Sequence, residues 1–259
     1  MKKTAIALAL SAFVATPALA DTFVNGGFED GTFNGWTQGS GFLSYGQTTN
    51  NLNPADFMPG GPSYNAGAQA SAIVTPGLDP LTGNGLNTVY AGNYSARVNN
   101  SVNNYSVNVL QQTVNNYTDN SIYFEWAAVL EGSHGLTDSD AFNLTLVDNT
   151  KSTTLVQVSY SSASAAGSGL FNQTGSVYWT PWQVENIDLV ALGAVGDSFT
   201  LSLLATDCPY GGHWGYVYLD GFAATVTPPG PSQVPEPASL ALLGLGLAGL
   251  ATIRRRKIV

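Results

Sequence analysis

The segment Asp207-Cys208-Pro-Tyr-Gly-Gly-His213 places a thiol five residues before an imidazole. Such a pair could act as a nucleophile with its base, or it could supply part of a metal site. The sequence has one cysteine and two histidines, His134 and His213, which is a small ligand set for zinc. The Gly-rich stretch also predicts a tight turn into a strand, with His213 bonded to the backbone and Cys208 buried. We favour this second interpretation.

No other motif of a known catalytic chemistry occurs in the sequence. It has no nucleophile elbow, no HExxH helix, no CxxC pair and no phosphate-binding loop. Two pairs of carboxylates, Asp138 with Asp140 and Glu185 with Asp188, have the residue type that a glycosidase needs. Turn formation explains these four acids adequately, so the sequence predicts a protein without catalytic activity.

Aromatic side chains are candidates for sugar binding, because a sugar ring stacks on a flat aromatic face. Tyr210 and Trp214 lie in the same Gly-rich segment, and we expect them to form an exposed platform. Packing of Trp214 in the core is the alternative, since buried tryptophans are common in β-sandwiches. Trp36 and Trp126 are predicted core residues. For Trp179 and Trp182 the sequence leaves open whether the side chain is buried or exposed.

The elements that must position these side chains are β-strands. Several short runs alternate apolar and polar residues, which predicts strands with one buried face, and turn-forming residues bound each run. This pattern predicts an all-β domain, a sandwich or a barrel. Segments 47–70 and 161–176 are rich in small and turn-forming residues and are predicted long loops. The alternating runs are 105–109, 122–126, 142–146 and 199–203, and segment 216–222 is a further predicted strand.

Both ends of the chain carry targeting patterns. Residues 1–20 combine two lysines, an apolar stretch and small residues before a cleavage site, which predicts a secretory signal peptide. Residues 238–253 carry no charge and would form a helix of about 24 Å, short for a bilayer core of about 30 Å. The basic residues 254–257 would stay on the cytoplasmic side. A Pro-rich linker, 228–233, separates this segment from the domain predicted at 21–227.

The domain between the targeting segments is strongly acidic. Between positions 21 and 232 only Arg97 and Lys151 are basic, against sixteen acids, so the formal charge is 2 − 16 = −14. This charge disfavours nucleic acid as a partner, because phosphate binding needs basic groups. Divalent cations and neutral glycans stay open as ligands, and solubility alone also explains the acids.

The C-terminal pattern resembles a known sorting signal. Val234-Pro235-Glu236-Pro237, the apolar segment and the cluster with Arg254, Arg255 and Arg256 resemble the PEP-CTERM signal of Gram-negative bacteria. The resemblance implies that an exosortase, a membrane protease-transpeptidase, cleaves near Pro-Glu-Pro. It also implies that the C-terminal helix holds the precursor transiently in the inner membrane. The final location would be the surface or matrix of a bacterium that makes exopolysaccharide.

The domain itself resembles the galactose-binding-like jelly roll, a β-sandwich that many carbohydrate-binding modules share. The opening Asn25-Gly-Gly-Phe-Glu29-Asp-Gly and the closing Gly215-Tyr-Val-Tyr-Leu-Asp220-Gly-Phe carry this resemblance. It implies that the first and last strands run together and share a structural Ca²⁺, with Glu29 and Asp220 as ligands. Gly221 stands where family members often have a second Asp. In the alternative, Glu29 caps a turn and Asp220 accepts backbone N–H groups.

Together these expectations describe an exported, non-catalytic surface or matrix protein, associated with exopolysaccharide and biofilm, whose sandwich binds glycan. A secreted hydrolase acting on matrix polysaccharide is the alternative. It requires a cleft with convergent carboxylates or a Cys–His pair.

Overall fold

The computed structural model describes residues 22–223 and Thr225. The predicted signal peptide 1–20, the linker 228–233 and the sorting signal 234–259 lie outside the described residues. Within them, no helix has the length and apolar character that crossing a bilayer requires. The strands are β1 Thr37–Phe42, β2 Ala72–Val74, β3 Ser95–Val98, β4 Ser106–Val114, β5 Ser121–Glu131, β6 Ala141–Asp148, β7 Thr153–Ser161, β8 Asn172–Thr174, β9 Val177–Trp179, β10 Gln183–Asp188, β11 Phe199–Thr206 and β12 Gly215–Ala223.

Two antiparallel sheets form a β-sandwich, as the alternating runs predicted. The first sheet has the order β1-β4-β11-β6-β7, and the second has the order β2-β3-β12-β5-β9-β8. Strand β10 also pairs with β5 in the second sheet. The five predicted segments coincide with β4, β5, β6, β11 and β12, except that Tyr105 lies one residue before β4. The all-β prediction is therefore confirmed.

The core lies between the two sheets and uses every second residue of the central strands. Leu201 and Leu203 of β11 point into it from one sheet, and Val217 and Leu219 of β12 point into it from the other. All four side chains are fully buried. Trp126 of β5 also belongs to this core, as predicted.

The expectation of one buried face per sheet is wrong, because long segments also cover the outer faces. The predicted loop 47–70 contains no strand, only two 3₁₀ turns, Pro54–Phe57 and Ala66–Ala68. Phe57 packs on Val107 and Val109, on the outer face of β4. The loop therefore packs against the first sheet and covers part of its outer face.

A second cover, residues 75–94, lies over the outer face of the second sheet. The buried carboxylate of Asp79 accepts the hydroxyl protons of Tyr216, at 2.6 Å, and Tyr218, at 3.0 Å. The indole N–H of Trp182 donates to the carbonyl of Asn87 at 2.9 Å. These contacts hold the cover against the aromatic outer face of β12. A sandwich with one buried face per sheet would leave that face in solvent.

Two expectations need correction, one about a loop and one about the pairing of the first and last strands. Segment 161–176 contains a short helix, Ser162–Ala165, and strand β8, so it is not a single long loop. The first strand, β1, lies in the other sheet from β12, so first and last strands do not pair. Instead, turns at residues 22–36 pack against β12, where the N–H of Phe222 donates to the carbonyl of Gly26 at 3.2 Å.

Candidate functional site

The register of β5 and β12 brings both histidines together. Gly215 lies opposite Leu130, and the N–H of Glu131 continues the pairing to the carbonyl of Trp214 at 3.0 Å. Residues just after β5 therefore pass beside residues just before β12. His134 and His213 meet there, with ring centroids 5.1 Å apart. His134 was not among the predicted site residues, because only the strand register connects it to the second segment.

The predicted tight turn between Cys208 and His213 is present. The N–H of Cys208 donates to the carbonyl of His213 at 3.2 Å, which closes the loop. Gly211 and Gly212 have φ values of +78° and +96°, a region that glycine tolerates best. The turn places Sγ of Cys208 at 3.6 Å from Nδ1 of His213.

Cys208, His134 and His213 form one group, which we call the Cys–His cluster. The sulfur and one ring nitrogen from each histidine all lie within 4.8 Å of one another. Cys208 is buried, as predicted, while His213 is half-buried and His134 is exposed. The cluster is therefore anchored in the protein on its sulfur side and reaches solvent through His134.

A buried polar network fixes the residue before the thiol. The carboxylate of Asp207 accepts the backbone N–H groups of Asn104 and Ser106, at 3.1 and 2.9 Å, and the side-chain amide of Asn99 at 3.0 Å. Burial raises the pKa of Asp207 to about 6, against the opposing effect of these hydrogen bonds. The residue before Cys208 is therefore held in place by hydrogen bonds from Asn99, Asn104 and Ser106.

Three aromatic rings form a surface beside the cluster, which we call the aromatic corner: Tyr45, Tyr210 and His134. The rings of Tyr45 and Tyr210 stand 5.2 Å apart at 85°, and His134 meets Tyr210 at 5.1 Å and 70°. Tyr45 is 77 % exposed and Tyr210 is 40 % exposed. The corner offers solvent flat faces at nearly right angles.

The expected exposure of Trp214 is wrong. Its side chain is only 9 % exposed and stacks on Tyr216 at 5.5 Å and 15°, on the outer face under the 75–94 cover. Trp214 therefore packs as a buried anchor, the alternative considered for it. Trp179 and Trp182 are half-buried and pack against the same group, and Trp36 is buried, as predicted.

Glu29 and Asp220 bind one backbone segment, residues 90–94, by separate hydrogen bonds. Glu29 accepts the N–H groups of Asn93 and Tyr94 at 3.0 to 3.2 Å. Asp220 accepts those of Tyr90 and Ala91 at 3.1 and 3.2 Å. Both carboxylates thus perform the structural role that was the alternative to calcium binding, whether or not a cation also binds.

Glu125 is a third acid at this seam, and the sequence analysis missed it. It lies directly opposite Asp220 across β5 and β12, and it is fully buried. Neither of its carboxylate oxygens has a hydrogen-bond partner. Burial, reinforced by the charge of Asp220, raises the pKa of Glu125 to about 8. Burial likewise raises the pKa of Asp220 to about 7, against three backbone hydrogen bonds.

The structure explains why glycine follows Asp220. Gly221 has φ +68°, and a side chain there would collide with the carboxylate of Glu125. The strand register also shifts just after Asp220. Position 221 therefore has to be a glycine for the carboxylate of Glu125 to fit beside it.

The pair Asp138 and Asp140 does not share a cleft. Asp138 accepts the N–H of Gly135 at 2.7 Å in a turn. Asp140 is fully buried and accepts the hydroxyl of Ser162 at 2.6 Å. Burial raises the pKa of Asp140 well above its usual value, against the opposing effect of its hydrogen bond from Ser162.

Glu185 and Asp188 line one open groove of about 390 Å³. Each already has a structural contact, since Glu185 accepts the indole N–H of Trp126 at 3.0 Å and Asp188 accepts the N–H of Ala191 at 3.0 Å. The groove therefore contains two carboxylates, but both stabilise the surrounding fold.

Comparison with protein families found one match, the PEP-CTERM protein-sorting motif, at residues 233–257. This stretch contains the Pro-Glu-Pro sequence, the apolar segment and the arginine cluster. The chain carries a PEP-CTERM sorting motif. The motif indicates an exported protein whose precursor is anchored in a membrane. A search among curated proteins found no significant match.

Solved structures similar to the PEP-CTERM chain include carbohydrate-binding modules. The module TmCBM61, solved with β-1,4-galactotriose, is 12 % identical over 77 % of this chain and 98 % of its own, with a TM-score of 0.37. Caldicellulosiruptor saccharolyticus CBM27-1, solved with mannohexaose, is 12 % identical over 79 % and 96 %, with a TM-score of 0.38. The enzymatically active domain of bacteriophage CBA120 tailspike protein 4 is 9 % identical over 77 % of this chain and 20 % of its own, with a TM-score of 0.34.

Proposed function

We propose that this chain is a non-catalytic surface or matrix protein whose sandwich binds a neutral polysaccharide at the aromatic corner. The single observation that carries the proposal is the exposure of Tyr45 and Tyr210, at 77 % and 40 %, with their rings held perpendicular. A tyrosine presents an apolar face and a polar edge, which match the C–H face and the hydroxyl groups of a sugar.

The corner is pre-formed, which favours binding. The N–H of Gly46, next to Tyr45, donates to the carbonyl of Pro209, next to Tyr210, at 3.1 Å. The two loops that carry the rings are thereby joined, so little ordering entropy is lost when a ligand binds.

The negative charge of the domain favours a neutral glycan over an anionic one. With a formal charge of −14 between positions 21 and 232, the domain repels polyanionic chains at low ionic strength. A neutral hexose or pentose polymer carries no such penalty. In the proposed role, the precursor is held transiently in the inner membrane of a Gram-negative cell and is then processed by an exosortase. The processed protein associates with exopolysaccharide in a biofilm.

We further propose that Ca²⁺ binds at the seam between β5 and β12. The buried carboxylate of Glu125 has two unpartnered oxygens beside Asp220, and carboxylate oxygens are the ligands that Ca²⁺ prefers. A cation there would neutralise two acids that burial otherwise disfavours in ionised form. Glu29, whose oxygens accept four N–H contacts, would support the site by fixing segment 90–94.

Affinity electrophoresis of the exported protein in gels containing neutral polysaccharides, including that of its own host, tests the binding role. Tyr45→Ala and Tyr210→Ala are each expected to weaken the affinity measured by retardation about 2- to 10-fold, as an aromatic stacking contact is worth about 0.5–1.5 kcal/mol. Tyr64→Ala is the matched control, because Tyr64 is 39 % exposed but lies outside the corner. Equal retardation of all variants contradicts the proposal, and release of new reducing ends would favour the hydrolase instead.

A further inference from the structure

We propose that the Cys–His cluster is a binding site for a thiophilic divalent cation of the Zn²⁺ type. The ligands are the thiolate of Cys208, Nδ1 of His213 and one imidazole nitrogen of His134. This inference goes beyond the proposed glycan binding, and it rests on different atoms from the acidic seam.

The separation of two ligand atoms already fits a tetrahedral metal. Zn–S and Zn–N bonds of about 2.3 and 2.0–2.1 Å place sulfur and nitrogen about 3.6 Å apart at a tetrahedral angle. Sγ of Cys208 and Nδ1 of His213 lie 3.6 Å apart. Without a metal, the two atoms share a weak hydrogen bond, and the thiol also donates to the carbonyl of Gly211 at 3.4 Å. Metal binding would replace both contacts by bonds to the cation.

The third ligand needs only a small movement. All three ligand atoms lie within 4.8 Å of one another, whereas two nitrogens on one zinc are about 3.3 Å apart. His134 therefore has to approach by at most about 1.5 Å. Its side chain is exposed and sits on a loop after β5, so a rotation of the side chain supplies this movement.

The ligand set selects the class of metal. A thiolate with two imidazoles suits Zn²⁺ and copper, whereas Ca²⁺ and Mg²⁺ require oxygen ligands. Binding releases the thiol proton of Cys208 to solvent, so the bound unit carries one net positive charge. Three protein ligands leave one tetrahedral position open, which a water molecule would fill.

Titration of the exported protein with Co²⁺, after removal of metals by a chelator, tests this site. A thiolate bound to Co²⁺ produces a charge-transfer absorption that carboxylate ligands do not produce. We expect this band to saturate at one Co²⁺ per chain and to disappear when Zn²⁺ is added, because Zn²⁺ competes for the same ligands.

Variants assign the ligands. His134→Gln changes an exposed residue and should keep the fold while weakening Co²⁺ binding by more than about 100-fold, since even outer-shell partners are worth about 10–100-fold. Cys208→Ser should abolish the band. Leu136→Ala is the control, because Leu136 is 64 % exposed in the same loop and has no ligand atom. Absence of the band in the parent protein, or a His134→Gln variant that binds Co²⁺ as tightly as the parent, overturns the proposal.

Discussion

Glu125 and Asp220 face each other across β5 and β12, and both carboxylates are withdrawn from solvent. Asp220 is compensated by the backbone N–H groups of Tyr90, Ala91 and Gly221. Glu125 has no such compensation. A buried acid without partners favours its neutral form, which makes this pair sensitive to both protons and cations.

The first prediction concerns pH. The pKa of Glu125 rises from 4.5 in a free side chain to about 8 in the fold. Between these values the folded chain keeps a proton that the unfolded chain has lost, so the free energy of unfolding falls as pH rises. In chelator, the thermal unfolding midpoint of the parent protein should decrease as the pH is raised from 4.5 to 8. The Glu125→Gln variant should show a smaller decrease and a higher midpoint than the parent at pH 8. Glu131→Gln, at the end of the same strand, is the control for the loss of one negative charge. If the midpoint depends on pH equally in Glu125→Gln and in the parent, the prediction is wrong.

The second prediction concerns Ca²⁺. At pH 8, Ca²⁺ at 100 times its dissociation constant should stabilise the parent protein by about 2.7 kcal/mol relative to chelator. Glu125→Gln and Asp220→Asn should each remove most of this gain, because each deletes a charged ligand. Glu29→Gln should reduce it less, since Glu29 acts through segment 90–94. A parent midpoint that is the same in Ca²⁺ and chelator leaves these acids as hydrogen-bond acceptors only.

The third prediction concerns the 75–94 cover. Asp79 accepts hydroxyl groups from Tyr216 and Tyr218, and burial raises the pKa of both tyrosines, so both hydroxyls stay protonated donors. Tyr218→Phe should cost about 1–3 kcal/mol of unfolding free energy, because it removes a hydroxyl donor from a buried acceptor. Asp79→Ala should cost more and speed amide exchange within residues 75–94. Tyr178→Phe is the control, and equal exchange in all variants contradicts a pinned cover.

The fourth prediction concerns export. Intact-mass analysis of extracellular protein from the native host should show loss of residues 1–20 and of the chain beyond the Pro-Glu-Pro sequence at 235–237. Glu236→Ala should retain the protein in the membrane fraction. An extracellular mass that still includes residues 254–257 would contradict the processing step.

The parts of the fold that the sequence predicted are the strands that alternate strictly. β6 and β11 alternate apolar and polar residues, and their apolar side chains lie in the inter-sheet core. β1 was missed because Gly39 and Gly41 interrupt its pattern. Both glycines are needed there, since an added Cβ would meet the backbone of Phe57 or Ser63 in the cover above.

The site was less predictable because tertiary register creates it. Cys208 and His213 are close in sequence, and their turn was foreseen, but His134 joins them only through the pairing of β5 with β12. Glu125 was likewise read as one polar position in an alternating strand. Its burial depends on tertiary packing beside Asp220 and Gly221 of β12, which no local pattern in β5 reports.

The position of β12 has a mechanical consequence. The strand has nine residues, about 30 Å at roughly 3.3 Å each, and it runs from the aromatic corner at Gly215 to Ala223, after which the chain continues toward the sorting motif. It lies between β3 and β5, whose hydrogen bonds are perpendicular to its axis. Tension between a ligand held at the corner and an anchor at the other end would load these bonds together in shear, rather than peel them apart one by one. In that case β12 would resist the pulling force through all of its hydrogen bonds at once, without unravelling from an edge.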